Sequence, residues 1–511
     1  MEKKIIGVLV CMLFIATAIP AVQSSNIQEK IIIGSDNSVQ PCGRNSWNET
    51  QKLLASDGEA EDLFGSSLSI VNNTLLVGAY SEDDQGANSG AVYVFNRNNT
   101  NWTQQTKILP SDGKEGDEFG YSIIYNGDTA LIGAPYADGK GAVYVFAKTG
   151  KLWSQQQKLI ASDGSAGALF GSSIALSGNS ALIGAPSANA KGAVYVFNRI
   201  GFSWGEEIKL VASDGATKDN FGQSVSLDDE TALIGAYLDD DKGADSGSAY
   251  VFIRFNDTWV QQAKIVAGDG AAGDTFGYAV SLIGDIALIG APYDDDGGAD
   301  SGSTYLFTRS GTTWSQKQKL LASDDSGYFG TSIAQEGNYA IIGAPQTGSV
   351  YLFVRAGTTW TEETKMVAAD GGALFNRFGQ TVSLSGETAV IGSPWDDDKG
   401  SHSGSVYIFM SQSATYDLEF LIKGGLGVKV QIINNGSVDA TDVDWQIHVE
   451  GGILKRINKN FSGIVDIPAS ETKIVKTGVF FGFGPITITA TVIYEQKTTE
   501  GKQFIIFSII K

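Results

Sequence analysis

The chain has 511 residues, 42 % of them hydrophobic, and a formal charge of −21. That length allows two or more domains and that hydrophobic content excludes a disordered chain. The charge argues against nucleic acid and anionic membranes as partners.

At the N-terminus, Lys3 and Lys4 precede the apolar run Ile5–Ile15 and a small-residue exit that reaches Ser24. This predicts a cleaved secretory leader over residues 1–24 and a secreted or cell-surface protein with no membrane insertion after cleavage. The run is shorter than the roughly 20 residues that a membrane span needs. Residues 25–46 read as a lead-in linker. Within it Cys42 is the one cysteine left after cleavage, so no internal disulfide can form; it is either a spectator or a disulfide link to a partner chain. The two histidines, His402 and His448, leave little for histidine-based catalysis and exclude a multi-histidine zinc site.

From Trp47 onward one pattern recurs seven times. Phe-Gly stands at Phe64, Phe119, Phe170, Phe221, Phe276, Phe329 and Phe378, spaced 49 to 55 residues apart. Each is followed by a Gly-Ala-Pro-like step, at Gly78, Gly133, Gly184, Gly235, Gly290, Gly343 and Gly392. An aromatic strand such as 141–146 follows, and then a strand opened by tryptophan: Trp47, Trp102, Trp153, Trp204, Trp259, Trp314 and Trp360. Four strands per unit at this spacing predict an all-β, seven-bladed β-propeller over residues 47–410. The chain begins with a fourth strand at Trp47 and ends its last unit at a third strand, 406–409. The N-terminal strand should therefore complete blade seven and close the ring. One tryptophan per blade at one position predicts packing between blades.

These residues resemble the Phe-Gly/Gly-Ala-Pro (FG-GAP) repeat family, which includes the propeller heads of integrin α chains, secreted prokaryotic surface proteins and a glycosyl-phosphatidylinositol-cleaving phospholipase. The resemblance implies a propeller and an extracellular binding or adhesion role. The integrin-type calcium loop precedes the Gly-Ala-Pro strand, and here that stretch reads 71–74 Val-Asn-Asn-Thr or 127–129 Gly-Asp-Thr. It lacks the several oxygen ligands that calcium takes, so that site is not expected here.

Strands that run up and down place the 2–3 and 4–1 loops on one face, and these loops hold more than half of the 57 acidic residues. The best metal candidates are the acidic glycine-rich turns: Asp239, Asp240, Asp241 and Asp245; Asp294, Asp295, Asp296 and Asp300; and Asp396, Asp397 and Asp398. Carboxylates clustered on a turn suit a hard cation such as calcium, and a solvated acidic turn is the alternative. The opposite face carries arginines and lysines together with the glycosylation sequons at Asn48, Asn72, Asn98, Asn101 and Asn256.

After Thr415 the pattern changes to cleanly alternating strands such as 428–432, 443–449 and 486–490. A β-sandwich of immunoglobulin-like type is expected over 415–511, with Trp445 in its core and further sequons at Asn435 and Asn460. Its 434–443 segment resembles adhesion-related sandwich domains of prokaryotic surface proteins. The sequence as a whole predicts a non-enzymatic protein that recognises an extracellular protein or glycan through the acidic 2–3/4–1 face, with calcium as a possible aid. A structural envelope or matrix component, or a hydrolase with an unrecognised acidic site, are the competing readings.

Overall fold

The computed structural model describes residues 31–32, 46–256, 258–324, 327–371, 375–412, 418–423, 429–434, 440–451, 457–468, 470–476, 486–495 and 504–505. The chain divides into two units, Trp47–Ser411 and a second built from residues 1–46 and 412–511. The expected leader, Cys42 and Asn435 lie outside the described residues.

The first unit is a seven-bladed propeller of four-stranded antiparallel sheets. Blade one comprises Ser67–Val71, Thr74–Ala79, Ala91–Asn98 and Asn101–Ile108. In blade seven Thr381–Ser385, Thr388–Ser393 and Ser405–Gln412 are completed by Ser46–Leu53 from the N-terminal side. The ring is therefore closed as the order of the repeats requires, and no blade ends at an unpaired fourth position.

The core lies between blades. One cluster joins Leu53, Val390, Val406 and Ile408 of blade seven to Leu75, Val77, Tyr93, Phe95 and Trp102 of blade one. Trp47, Trp102, Trp204, Trp259 and Trp360 are buried, and Trp153 and Trp314 pack as half-buried members of such clusters. Each Phe of a Phe-Gly pair packs on the tyrosine and phenylalanine of its own third strand, edge-on in all but the tilted Phe329–Phe353 pair, as Phe64 does to Tyr93 at 5.4 Å and to Phe95 at 5.9 Å. Such pairs add about 1 kcal/mol beyond area burial.

The Phe-Gly pair lies ahead of the first strand instead of opening it. The residue before Phe221, Asn220, has φ +57° and Gly222 has φ +94°, which no extended strand tolerates, so the first strand of blade four starts at Ser224. This turn brings backbones of neighbouring blades together. Ser67 Oγ donates to the Gly120 carbonyl at 2.6 Å, and Thr381 does the same to Gly65 across the closure. A Cβ on Gly78 would meet the Gly120 oxygen at 2.2 Å, so the glycine of the Gly-Ala step is required by contact with the next blade.

The second unit holds two four-stranded antiparallel sheets. One runs Ile31–Ile32, Leu418–Lys423, Lys429–Asn434 and Thr472–Lys476; the other runs Ile457–Ile467, Ala440–Gly451, Ile486–Glu495 and Phe504–Ile505. Ile31, inside the stretch read as linker, pairs with Phe420. Trp445 is half-buried, with Gly463 close beneath its ring.

Gly78→Ala should destabilise the propeller by about 3 kcal/mol, because the added methyl must displace backbone and not a mobile side chain. Urea unfolding of the full chain measures this, and an unchanged midpoint would contradict the contact.

Candidate functional site

The face with the 2–3 and 4–1 loops holds the expected metal residues. In blades one, four, five and seven the 2–3 loop has one plan. In blade four, buried Asp239 accepts the amide of Asp241 at 3.1 Å, and Asp240 accepts that of Asp245 at 2.8 Å. Ser246 Oγ donates to the Asp239 carbonyl. Asp294, Asp295, Asp296 and Asp300 repeat this in blade five. In blade seven Asp396 accepts the amide of Asp398, and Asp397 accepts that of His402.

The remaining carboxylate oxygens converge on a lysine. Lys264 Nζ lies 2.9 Å from Asp214, 3.0 Å from Asp239 and 2.6 Å from Asp241. Lys319 is held by Asp269, Asp294 and Asp296, and Lys52 by Asp370, Asp396 and Asp398. Lys107 meets Asp57, Glu82 and Asp84. Burial works against the charge on Lys264, but the three carboxylates outweigh it and raise its pKa.

This unit recurs in every blade. A lysine of the fourth strand reaches the aspartate of the loop that enters its blade, at 2.6 to 3.2 Å, in all seven repeats. Each ammonium also lies 5.1 to 5.4 Å from the ring centre of a third-strand tyrosine. In five blades the tyrosine hydroxyl donates to an acid of the same group, as Tyr250 does to Asp214 and Asp239.

The acids of this face are thus largely engaged within the ring. A second set, Asp62, Asp117, Asp219 and Asp274, accepts backbone amides inside the 4–1 loops. Among the described residues no group of three or more His, Cys, Asp or Glu is arranged to hold a metal ion. Calcium at the expected loops would have to compete with the ammonium that the same carboxylates already hold.

A β-bulge sets the lysine in place. Tyr93, Phe95 and Arg97 alternate along one face of the third strand, opposite Lys107, Gln104 and Trp102. The register shifts between Gln104 and Thr106, and the same shift occurs in the next five blades. Without the extra residue the position beside Tyr93 would fall to Thr106. The signal in the sequence is Trp-x4-Lys-x4-Asp, as in Trp102, Lys107 and Asp112, and it is present seven times. Strict strand alternation conceals it.

Inside this girdle lies a different surface. The residue before each Phe-Gly, namely Leu63, Glu118, Leu169, Asn220, Thr275, Tyr328 or Arg377, has φ between +55° and +62°. The left-handed region costs a residue with a side chain about 1 kcal/mol, yet glycine occupies none of the seven positions. Aromatic residues crowd the same region. Tyr80 packs on Tyr121 at 5.3 Å, Tyr237 on Tyr278 at 5.4 Å and Tyr293 on Tyr328 at 4.8 Å. Arg377 stacks over Trp395 at 4.5 Å. Burial, then Tyr80, Glu118, Tyr136 and Tyr278, push the Tyr121 hydroxyl up to about 12. Tyr121 enters blade two and Tyr278 enters blade five, so their mutual reach places both at the axis. Tyr136, Tyr293 and Trp395 remain 40 to 48 % exposed. This aromatic mouth was not read from the sequence, although the variable residue before an invariant Phe-Gly marks it.

On the opposite face Asn48, Asn72, Asn98, Asn101 and Asn256 are exposed, as is Asn460 in the second unit. A cleft of about 600 Å³ there is lined in part by Arg254 and Arg309, which are paired with Glu207 and Asp285. No helix of the described residues is long and apolar enough to cross a membrane.

A model of the FG-GAP repeat matches residues 47–95, 102–146, 153–197, 204–252, 259–307, 314–353 and 360–409. No curated protein matches the chain. Among solved structures, one similar chain is a protein of Bacteroides uniformis ATCC 8492 provisionally assigned as a 6-phosphogluconolactonase. It is 10 % identical, with 79 % of this chain and 99 % of that chain covered and a TM-score of 0.44. A periplasmic gluconolactonase of Pseudomonas aeruginosa is 12 % identical over 60 % of this chain and 86 % of its own, with a TM-score of 0.43. Neither likeness bears on what this chain does.

Lys264→Met should cost about 3 kcal/mol, because it leaves buried Asp239 beside two further carboxylates without a cation. Lys209→Met, whose ammonium has Asp163 as its one carboxylate partner among the described residues, should cost no more than about 1 kcal/mol. Urea midpoints compare the two, and equal losses would contradict the reading. Millimolar calcium should stabilise the Lys264→Met variant more than the parent if ammonium and calcium compete for one seat.

Proposed function

The chain belongs to the FG-GAP repeat family, and from that premise we propose that it is a secreted or cell-surface recognition protein whose ligand enters the axial mouth of the 2–3/4–1 face. The observation that carries this reading is the ring of seven strained residues before Phe-Gly. The scaffold around them is repeated, while six of the seven are half-buried and bring leucine, glutamate, asparagine, tyrosine and arginine side chains to the ring, and Thr275 is buried. Strain kept at equivalent positions with differing side chains is how a repeated frame presents an individual surface.

The aromatic faces around the ring suit a ligand that offers apolar or cationic surface to tyrosine and tryptophan. An extracellular protein or glycan fits these terms. Calcium is not needed for contact with the aromatic faces of the mouth, and the loop carboxylates are joined to lysines. The role is binding and not catalysis.

The test is a screen of the full chain on glycan and peptide arrays, repeated with Tyr293→Ala and Trp395→Ala. Both side chains are 40 % exposed, so their loss should leave the unfolding midpoint nearly unchanged and weaken binding at least tenfold. Arg309→Ala, on the opposite face, serves as the control. Binding lost with Arg309→Ala and kept in the mouth variants would place the ligand on the other side of the ring.

A further inference from the structure

One carboxylate at the mouth is treated unlike those of the girdle. Glu118 precedes Phe119 in the left-handed conformation, with φ +55°, and is half-buried. Its amide is bound to the Asn88 carbonyl at 3.1 Å, so the position is fixed by the neighbouring loop. Among the described residues no lysine, arginine or amide reaches its carboxylate, whereas the acids facing each girdle lysine all have an ammonium within 3.2 Å.

Three tyrosines lie within electrostatic reach of Glu118, and the Tyr121 amide donates to the Glu118 carbonyl at 3.2 Å. Tyr80 and Tyr121 pack with ring centres 5.3 Å apart. Both hydroxyls are pushed up first by burial and then in part by the charge of Glu118, and the same holds for Tyr136. The chain therefore builds one chemical group repeatedly, a carboxylate and a tyrosine ring about an ammonium, and supplies the ammonium itself in seven blades. At Glu118 the carboxylate and the rings are present, and among the described residues no lysine or arginine is paired with it.

We propose that Glu118, Tyr80, Tyr121 and Tyr136 form the seat for an organic ammonium group carried by the ligand. The inference rests on the mouth being the ligand site and adds the chemistry that the ligand must bring. A single carboxylate among aromatic faces suits a large, weakly hydrated cation, which gains from the rings as well as from the charge. Calcium takes six to eight oxygens, and this group offers too few. Burial pushes the Glu118 carboxyl up to about 7, and the groups that face it, Tyr80, Tyr121 and Tyr136, titrate well above that. A cation favours the ionised form, so binding must strengthen as pH rises through about 7.

The experiment is calorimetric titration of the full chain with choline, with n-butylammonium and with 3,3-dimethyl-1-butanol, the uncharged counterpart of choline. Both cations should bind, and the alcohol should bind at least tenfold more weakly. Glu118→Gln should weaken both cations at least tenfold and abolish the rise between pH 6 and 8. Tyr136→Ala, an exposed position, should weaken them with the fold intact. A lysine-containing peptide compared with its acetyl-lysine form separates the sources. Preference for free lysine indicates a protein side chain, and choline binding without peptide binding indicates a small amine. Cation binding unchanged in Glu118→Gln, or equal binding of the alcohol, would overturn the proposal. If an array ligand is lost with Trp395→Ala but indifferent to Glu118→Gln, the mouth stands and the ammonium seat falls. Indifference to both removes the mouth as well.

Discussion

A propeller is a ring of sheets, and each sheet satisfies its own backbone, so the ring depends on what joins one sheet to the next. Here the joint on the 2–3/4–1 face is a lysine ammonium. It leaves the outer strand of one blade and binds the aspartate of the loop arriving from the blade before, above a tyrosine ring of its own sheet. An exposed pair of this kind contributes little. Within the blade, a pair with one buried partner, such as Lys264 with Asp239 of its own 2–3 loop, is different: the carboxylate left alone would face a desolvation cost that the ammonium now offsets, so the lysine that reaches the arriving loop is itself anchored. The apolar clusters between blades hold the sheets together, and the charged joints fix their register near the loops.

This joint changes the meaning of the negative charge. A field of acids on one face suggests a cation-binding or repelling surface, and the loop composition supports that view. In the 2–3 loops of blades one, four, five and seven the first acid is buried on lysine, the second closes its own turn on a backbone amide, and the third reaches the same lysine. The loop is a clamp. Its glycine and serine serve the same end, since Ser246 ties the loop to its own beginning and Phe276 donates its amide to the Ser246 carbonyl from the next blade. Much of the formal −21 lies away from the clamps, and the centre of the face is tyrosine-rich.

Seven blades, their order and the closing strand at Trp47 were legible because Phe-Gly and tryptophan recur at a nearly constant spacing that local chemistry enforces. The tryptophans were legible for the same reason. The girdle was not, although it is equally regular. Trp102 and Lys107 are five residues apart, an odd number, and in an unbroken strand they would face opposite ways. The bulge between Gln104 and Thr106 turns both to one side, and a period-two reading has no means of placing it. The partner of Lys107 is Asp57, 50 residues earlier, so even the correct face does not reveal the pair. The mouth was hidden differently. Its residues are isolated in sequence, one or two per blade, and only closure of the ring brings Tyr121 toward Tyr278.

The division between frame and surface has a physical basis. A residue at φ near +57° can differ in each blade only if the backbone on either side is held by something other than its own preference. Phe119 buries its ring against Tyr144 and Phe146, and Gly120 bonds through its amide to Gly133. The loop acids and lysines hold the other end. With both ends secured, the intervening side chain is released from any structural duty that would fix its identity. Glutamate at 118 can then stand half-buried near tyrosines, with no cation paired to it among the described residues, a state that a freely adjusting loop would relieve by turning the carboxylate to water. The rigidity of the seven joints is thus what permits such a carboxylate near the centre, and the proposed ammonium seat depends on that rigidity.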